Sequence, residues 1–334
     1  MPPMKRRADT QDEDECPSTS APKTIGQMVE HIGNKQVRST RFRELKRKED
    51  RRKKAERKKR QAAAEKAEKA GAEPVPKPVP KTIENTRELD ETIVAPDDEE
   101  VAAEETQDEF ADHFKRVRPP HVLITTCFKP SGIMYKFIAE LLEVFPNATY
   151  YKRQGFPLKK IVQFAKNRDF SDVVVINEDR KMINGMLVTH LPEGPTAQFR
   201  LSNLKLSTEI SNHGRISSHR PEVVLNNFST RLGHRVGRLF ASLFHQDPAF
   251  RGRRVVTFHN QRDFIFFRHH RYIFEEKADR RTKEARVQAR LQELGPRFTL
   301  QLESLQKGTF DSKSGEFEWL NSGEQDTSRR RFKL

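Results

Sequence analysis

The sequence predicts a mixed α/β domain that begins near residue 119 and follows a long charged arm. Three observations support this: the charge runs stop there, short apolar strings separated by turn residues begin, and an alternation of strand and helix patterns occurs twice. Each copy, at roughly 90 residues, is small to bury a core of its own. We therefore expect two α/β halves, at about residues 119–194 and 195–306, that form one domain.

The first half shows strand, helix, strand, helix and hairpin patterns in that order. The elements are expected at residues 122–126, 133–145, 148–152, 158–165, 172–176 and 186–190. Ser131 is positioned to cap the first helix, and Pro146 follows its last apolar residue.

The second half repeats the pattern with fewer elements. Strands are expected at residues 223–225, 254–258, 263–268 and 272–274, with a helix at about residues 231–244. Ser229 or Thr230 can cap that helix. Apolar residues then alternate on both sides of Gly295-Pro296, which predicts a hairpin after a charged excursion at residues 277–286. Residues 277–294 could equally form a basic helix.

Residues 1–118 differ in composition from the rest. Hydrophobic residues make up 34% of the whole chain, well under the roughly 45–50% of ordinary globular proteins. Residues 35–60 carry 15 basic and 4 acidic residues, whereas residues 84–112 carry 13 acidic residues and one arginine. We expect a disordered arm with a basic helix at about residues 35–70, a proline-rich spacer at residues 74–80 and an acidic linker.

Each charged block admits more than one interpretation. The basic block can be a solvated helix, a nuclear-import signal, or an arm that folds against RNA phosphates and releases counterions. The acidic block can be a solvated linker, can bind basic protein tails, or can shield the basic arm. The net charge of +15 favours a polyanionic partner, most simply a nucleic acid.

Several classes of protein are excluded or disfavoured. No run approaches the ~18 apolar residues of a membrane span, and the first residues do not form an apolar signal-peptide core. We therefore expect no membrane partner. Cys16 and Cys127 are the only cysteines, too few for a disulfide framework or a cysteine-based zinc site, which fits a reducing compartment.

Catalytic motifs are absent from the sequence. It contains no phosphate-binding glycine loop, no dinucleotide fingerprint and no nucleophile elbow. A metal-dependent nuclease could be built from four histidines and two aspartates: His245, Asp247, His259, Asp263, His269 and His270. However, His269 and His270 would face opposite sides of a strand. We therefore expect no metal, cofactor, catalytic residue or small-molecule substrate, and a structural role for Cys127.

Basic residues interleave with aromatic residues at residues 251–254, 267–272 and 307–313. Aromatic rings can stack on unpaired bases while arginine and lysine contact phosphates. The basic residues proposed here as RNA contacts are Arg253, Arg254, Arg268 and Arg271. The alternative is that Phe264, Phe266 and Phe274 belong to the core.

Six blocks in order resemble the Brix family of eukaryotic ribosome-assembly factors, over about residues 121–305. They are residues 122–126 (VLITT), 190–197 (HLPEGPTA), 227–233 (NFSTRLG), 256–263 (VTFHNQRD), 267–270 (FRHH) and 294–300 (LGPRFTL). Residues 307–313 (KGTFDSK), 316–319 (EFEW) and 326–331 (DTSRRR), with the long basic arm, look like one member of that family.

The resemblance implies a duplicated fold similar to the anticodon-binding domain of class II tRNA synthetases. It also implies that a segment after the last strand, likened to a bacterial sigma-factor motif, binds RNA. In this chain the segment comprises Lys307, Gly308, Thr309, Phe310, Asp311, Ser312, Lys313, Ser314, Gly315, Glu316, Phe317, Glu318, Trp319, Leu320, Asn321, Ser322, Gly323 and Glu324. Because four of these residues are acidic, stacking would have to contribute, with phosphate contacts from Arg297 or the arm.

The resulting hypothesis is a non-catalytic nucleolar factor that binds and shapes the large-subunit rRNA precursor and is required for its maturation. Its expected partners are that RNA, other assembly factors of the large subunit and ribosomal proteins. Two alternatives remain: a metal-dependent RNA-processing nuclease, and a scaffold of pre-ribosomes that binds only proteins.

Overall fold

The structure is a computed structural model that describes residues 25–69, 79–82, 84–88, 90–95, 98–246, 253–278, 285–310, 315–322 and 330–334. The chain divides into two compact units, Met1–Pro80 and Lys81–Leu334. No helix among these residues has both the length and the apolar composition needed to cross a bilayer. The proline-rich spacer expected at residues 74–80 lies largely outside the described residues.

The first unit contains α1 (Ile25–Val29) and the long α2 (Lys35–Lys69), in agreement with the helix expected at about residues 35–70. Asn34 caps α2, since its Oδ1 accepts from the backbone N–H of Gln36 at 2.9 Å. None of residues 35–63 is buried. A helix that is polar on all sides has no apolar stripe to pack against a core.

The acidic block is partly helical, which differs from the solvated linker expected at residues 84–112. Its helices are α3 (Glu99–Gln107), capped by the Asp98 carboxylate, and α4 (Ala111–Phe114). The physical reason is that a few apolar residues interrupt the acidic run: Val101, Phe110 and Ala111 are buried. The charge composition of the block did not indicate that these residues are buried.

The first half of the folded domain contains two helices and five strands. They are β1 (Val122–Thr126), α5 (Gly132–Val144), β2 (Ala148–Tyr150), α6 (Leu158–Lys166), β3 (Asp172–Asp179), β4 (Met182–His190) and β5 (Thr196–Lys205). All but β5 were expected from the sequence. Ser131 is the residue before α5 but makes no capping hydrogen bond with its side chain.

In the described part of the second half there are one α-helix and six strands. They are β6 (Glu222–Asn226), α7 (Arg231–Ser242), β7 (Arg254–Gln261), β8 (Phe264–Ala278), β9 (Ala285–Glu293), β10 (Arg297–Gln306) and β11 (Phe317–Leu320). Thr230 caps α7, since its Oγ1 accepts from the backbone N–H of Gly233. The two strand strings expected at residues 263–268 and 272–274 form one long strand, β8.

The sheet shows the duplication directly. The strand order is β2-β1-β3-β4-β5-β10-β8-β7-β6, with β9 on β8 and β11 on β10. In the first half β1 runs parallel to β3, followed by antiparallel β4 and β5. In the second half β6 runs parallel to β7, followed by antiparallel β8 and β10. The two halves meet where β5 pairs with β10.

This topology groups β5 with the first half. The two repeats are therefore joined between β5 and β6, and not at residue 195 as expected from the sequence.

Gly295-Pro296 does not form the hairpin that the alternation predicted. β9 and β10 do not pair with each other; both run antiparallel to β8 along the same edge, with Glu293 opposite His270 and Phe298 opposite Phe267. The chain therefore continues in one direction through the Gly-Pro step. A strand interrupted by proline and a hairpin show the same alternation of apolar residues, so the pattern could not separate them.

Helices cover the two sides of the sheet unequally. α5 and α7 pack on one side, where Phe240 and Phe258 stack at 4.3 Å between ring centroids. On the other side α6 packs on Leu123, Val173 and Val175 of the first half. The α6 cluster includes no residue of β5, β7, β8 or β10.

Candidate nucleic-acid interface

The second side of β7, β8, β10 and β5 carries three rows of outward-facing residues, which we call the open sheet face. Directly paired residues point to the same side of a sheet, and alternate residues along each strand belong to the core on the other side. The register gives the rows as Thr257, Arg268, Arg297 and Lys205; His259, Phe266, Thr299 and Ser202; and Gln261, Phe264, Gln301 and Arg200. All except Thr299 are exposed or half-exposed.

The open sheet face is cationic and carries two aromatic rings. The Arg268 guanidinium donates to Phe267 O at 2.7 Å, and its central carbon lies 5.7 Å from the centroid of the Phe266 ring. Burial lowers the pKa of Arg268; Glu293 opposes this shift, and the neighbouring Arg297 adds to it. Two arginines on adjacent strands repel each other, so an anion bound between them would relieve that repulsion.

Two of the sequence-predicted arginines therefore meet on this face, while others lie elsewhere. Arg268 and Arg297 are neighbours there, with Arg297 Nε 3.6 Å from Glu293 Oε1. Arg253 and Arg271 are exposed, but Arg271 pairs with Arg254 and shares the helix side of the sheet with it. Arg251 lies outside the described residues.

Arg254 does not have the exposed position that an RNA contact requires, so its assignment is corrected. Arg254 is only 4% exposed, and both of its Nη atoms donate to Glu143 O at 3.2 Å. Burial lowers the pKa of Arg254, and Glu143 opposes that shift. The side chain holds the end of α5 against β7. An alternating basic sequence cannot show which arginine faces a helix.

The C-terminal candidate segment is partly an edge strand. β11 pairs with the end of β10, and the Lys307 N–H donates to Glu316 O at 2.9 Å. Trp319 packs against the domain core with Lys333 Nζ 5.5 Å from its ring, whereas Phe317 is exposed. Asp311, Ser312, Lys313, Ser314, Gly323 and Glu324 lie outside the described residues.

Two of the residues that the nuclease hypothesis requires, His269 and Asp263, are held by structural partners. His269 is fully buried and its Nδ1 lies 2.7 Å from Gly295 O; burial lowers its pKa to about 4. Asp263 Oδ1 accepts from the backbone N–H groups of Lys333 and Leu334 at 2.7 and 2.9 Å. Within the described part of the chain, no three histidine, cysteine or acidic side chains are grouped as a metal ion would need.

The acidic block at residues 84–112, called the acidic segment below, lies against the basic face of α7, a contact that sequence reasoning missed. Its contacts pair His234 with Glu105, Arg235 with Glu109 and Arg238 with Asp108. Arg235 also pairs with Glu318 of β11. The available signal was the spacing of the α7 basic residues, which places them on one side of a helix. Lys205 and Arg200 of the open sheet face were missed because β5 was not recognised as a strand.

A family model and curated relatives indicate one family for this chain. Residues 128–304 match the family model described as the Brix domain. A Xenopus laevis protein named ribosome production factor 1 is 54% identical over 269 residues, covering 80% of this chain and 76% of that protein. A Mus musculus protein of the same name is 49% identical over 323 residues, covering 95% and 88%. A crystal structure of a probable ribosomal biogenesis protein from Aeropyrum pernix K1 aligns at 16% identity with a TM-score of 0.40, covering 55% of this chain and 96% of that chain.

Proposed function

The chain belongs to the Brix domain family, and from this premise we propose that it is a non-catalytic, RNA-binding assembly factor of the large ribosomal subunit. A role in ribosome biogenesis follows from relatives that are 49% and 54% identical and are named ribosome production factor 1. We further propose that the protein binds RNA, that it acts on the large subunit, and that it serves maturation of the rRNA precursor.

The open sheet face is the observation that best supports RNA binding. Phe264 and Phe266 offer ring faces to unpaired bases, while Arg268, Arg297 and Lys205 are placed along one row to contact phosphates. A sheet with aromatic and basic residues on its uncovered side is a recurrent way to bind single-stranded RNA. Arg253, Arg271 and the segment at residues 307–324, without Arg254, are proposed as further contacts.

α2 supports the same function through charge. Its basic residues far outnumber its acidic ones. Among the described residues, Glu44 pairs with Arg41 and Glu49 pairs with Lys53. A polar helix of this kind can lie along RNA phosphates, and the affinity would then fall steeply with salt. The same block suits nuclear import, so we place the protein in the nucleus and nucleolus. A tagged chain that stays in the cytoplasm would contradict this placement.

Gel-shift or anisotropy titration of the full chain with fragments of the large-subunit rRNA precursor tests RNA binding. The double variant Arg268→Gln/Arg297→Gln should bind at least about tenfold more weakly and show a salt slope smaller by about 2, since two phosphate contacts are lost. The control Arg231→Gln/Arg290→Gln removes the same charge from ion-paired positions away from the open sheet face. Equal weakening in both variants would overturn the assigned surface.

The same titration separates the alternatives. Absence of wild-type affinity at physiological salt would favour the scaffold that binds only proteins. Divalent-metal-dependent cleavage of the RNA, abolished by His269→Ala or Asp263→Asn, would favour the nuclease. We expect neither result, because His269 is buried and Asp263 is half-buried, and both are hydrogen-bonded to the backbone of the domain.

A further inference from the structure

A cavity of about 390 Å³ lies beside α6, in the first half of the domain, where no sequence motif indicated a binding site. Leu123 and Thr125 of β1 line its floor, and Tyr151, Phe156 and Phe164 line its walls. This volume is at the low end of the roughly 300–1,000 Å³ typical of small-ligand sites. We call it the α6 pocket.

The aromatic residues of the α6 pocket are unusually exposed for a folded domain. Tyr151, Phe156 and Phe164 are 43%, 42% and 47% exposed. Phe156 and Phe164 meet edge to face at 5.7 Å between centroids, and Tyr151 meets Phe170 in the same way at 6.1 Å. An edge-to-face contact engages only one face of one ring in each pair, so the other ring faces are free of these two contacts. A cluster of exposed aromatic rings beside a cavity indicates a ligand site.

Lys152, Arg153 and Arg168 line the α6 pocket together with these rings. The Arg153 guanidinium lies over the Phe128 ring at 3.9 Å, and Arg168 lies 5.5 Å from the centroid of Tyr151. Residues 151–170 contain six basic residues and one acidic residue. Stacked guanidinium and aromatic planes with this excess of positive charge suit an anionic ligand that carries a flat ring.

The α6 pocket and the open sheet face lie on the same side of the sheet. Thr125 of the pocket pairs with Val175, which pairs with Leu187 on β4. Arg200 of the open sheet face pairs with Gly185, two residues from Leu187. Directly paired residues and alternate residues share one side, so one strand of RNA could contact both sites without crossing the sheet.

We propose that the α6 pocket binds an unpaired base of single-stranded RNA, stacked against Tyr151 or Phe164, with Arg153, Arg168 and Lys152 contacting the flanking phosphates. The inference rests on the proposed function because it takes RNA as the partner. An acidic or apolar peptide of a partner protein is the competing occupant. It is disfavoured because the lining presents aromatic ring faces and guanidinium planes.

The test uses the full chain and a labelled, unstructured RNA oligonucleotide of about twelve nucleotides, together with an abasic oligonucleotide of the same length. Phe164→Ala and Tyr151→Ala should weaken binding of the RNA by at least about fivefold, the loss of one base stack. Binding of the abasic chain should change less than about twofold, since its phosphates are the same. Tyr135→Ala is the matched control, since Tyr135 is also 43% exposed but lies on α5, on the opposite side of the sheet from the pocket.

Ultraviolet crosslinking with peptide mapping gives a second measurement that does not depend on variants. Base adducts at Tyr151, Phe156 or Phe164 are the expected result. If the wild type binds RNA but carries no adduct in the pocket, and the pocket variants bind RNA as Tyr135→Ala does, the pocket inference fails while the proposed function stands. If the wild type binds no RNA, both fail. Loss of a protein partner with unchanged RNA affinity would assign the pocket to a peptide and overturn the inference.

Discussion

Arg238 on α7 donates to both carboxylate oxygens of Asp108, each at 2.7 Å. The same guanidinium donates to Glu105 O at 2.7 Å and lies 4.1 Å from the Phe114 ring centroid. A bidentate arginine–carboxylate pair that is partly buried is among the stronger polar contacts in proteins. This pair therefore anchors the acidic segment to the domain, next to the buried Phe110.

Arg238→Gln should release that segment. We expect a loss of about 2 kcal/mol in the free energy that holds α3 and α4 in place, the value of hydrogen bonds to a charged group. Hydrogen exchange of the amides at residues 98–114 measures it. Arg231→Gln removes an exposed pair with Glu100 and should leave those rates unchanged. Equal exchange rates in wild type and Arg238→Gln would contradict the anchor.

The buried pair of His190 and Asp172 predicts a pH dependence of stability. His190 Nδ1 lies 2.7 Å from Asp172 Oδ1. Burial acts to lower the pKa of His190, but the Asp172 carboxylate and the Glu109 carbonyl act to raise it and prevail, so the net shift from 6.5 is upward. A raised folded-state pKa means that the stabilisation is complete below 6.5 and is lost as the pH rises through the folded value.

Urea unfolding from pH 6 to pH 9 checks this. The wild-type free energy of unfolding should fall across the pH range just above 6.5, and His190→Gln should lack that component of the fall. The nearby His113 does not mimic the effect, because burial lowers its pKa below 6.5. Parallel curves for the two proteins would show that the pair contributes nothing to the pH dependence.

Gly194 should tolerate no side chain. Its φ is +108°, and an added Cβ would lie 2.3 Å from the carbonyl carbon of Gly308, where the C-terminal segment begins. Gly194→Ala should therefore cost more than about 2 kcal/mol of stability, by strain and by displacing residues 307–310. Thermal or urea unfolding measures the loss. Gly155→Ala, with no atom within 4 Å of the new Cβ, should change stability by less than about 1 kcal/mol.

Phe264 and Phe267 lie on the same strand and should behave in opposite ways. Phe267 is fully buried and stacks on Phe298 at 4.3 Å, so Phe267→Ala should cost about 3–5 kcal/mol. Phe264 is 42% exposed on the open sheet face. Phe264→Ala should cost less than about 1 kcal/mol but weaken RNA binding. Unfolding and titration of both variants distinguish core from interface; unchanged RNA affinity in Phe264→Ala would remove that ring from the interface.

Local patterns in the sequence were enough to locate most of the elements. Apolar periodicity and caps indicated α5, α6 and α7 and most of the strands, because amphipathic spacing depends only on neighbours along the chain. The blocks that resemble the Brix family are short and lie in order, so the family too could be recognised from the residues alone. β5 was missed although Ala197, Phe199 and Leu201 alternate with polar residues along it, which is the pattern of a strand with one buried side.

Contacts between distant residues were decided only by the tertiary structure. The alternation around Gly295-Pro296 fits a hairpin and an interrupted strand equally, and pairing with β8 chose the second. Arg254 and Arg268 have the same chemistry in sequence, yet one faces α5 and the other faces solvent.

The same division holds for the charges and the surfaces. The sequence by itself determined most of the elements, the existence of duplicated halves, the family and the opposite charges of the two blocks in the arm. The tertiary structure decided that the acidic block docks on α7, that the α6 cluster does not extend over β5, β7, β8 and β10 in the described part of the chain, and that aromatic rings at α6 line a cavity. The reason is physical: propensity and periodicity act over a few residues, whereas register, burial and ion pairing join residues more than 100 positions apart.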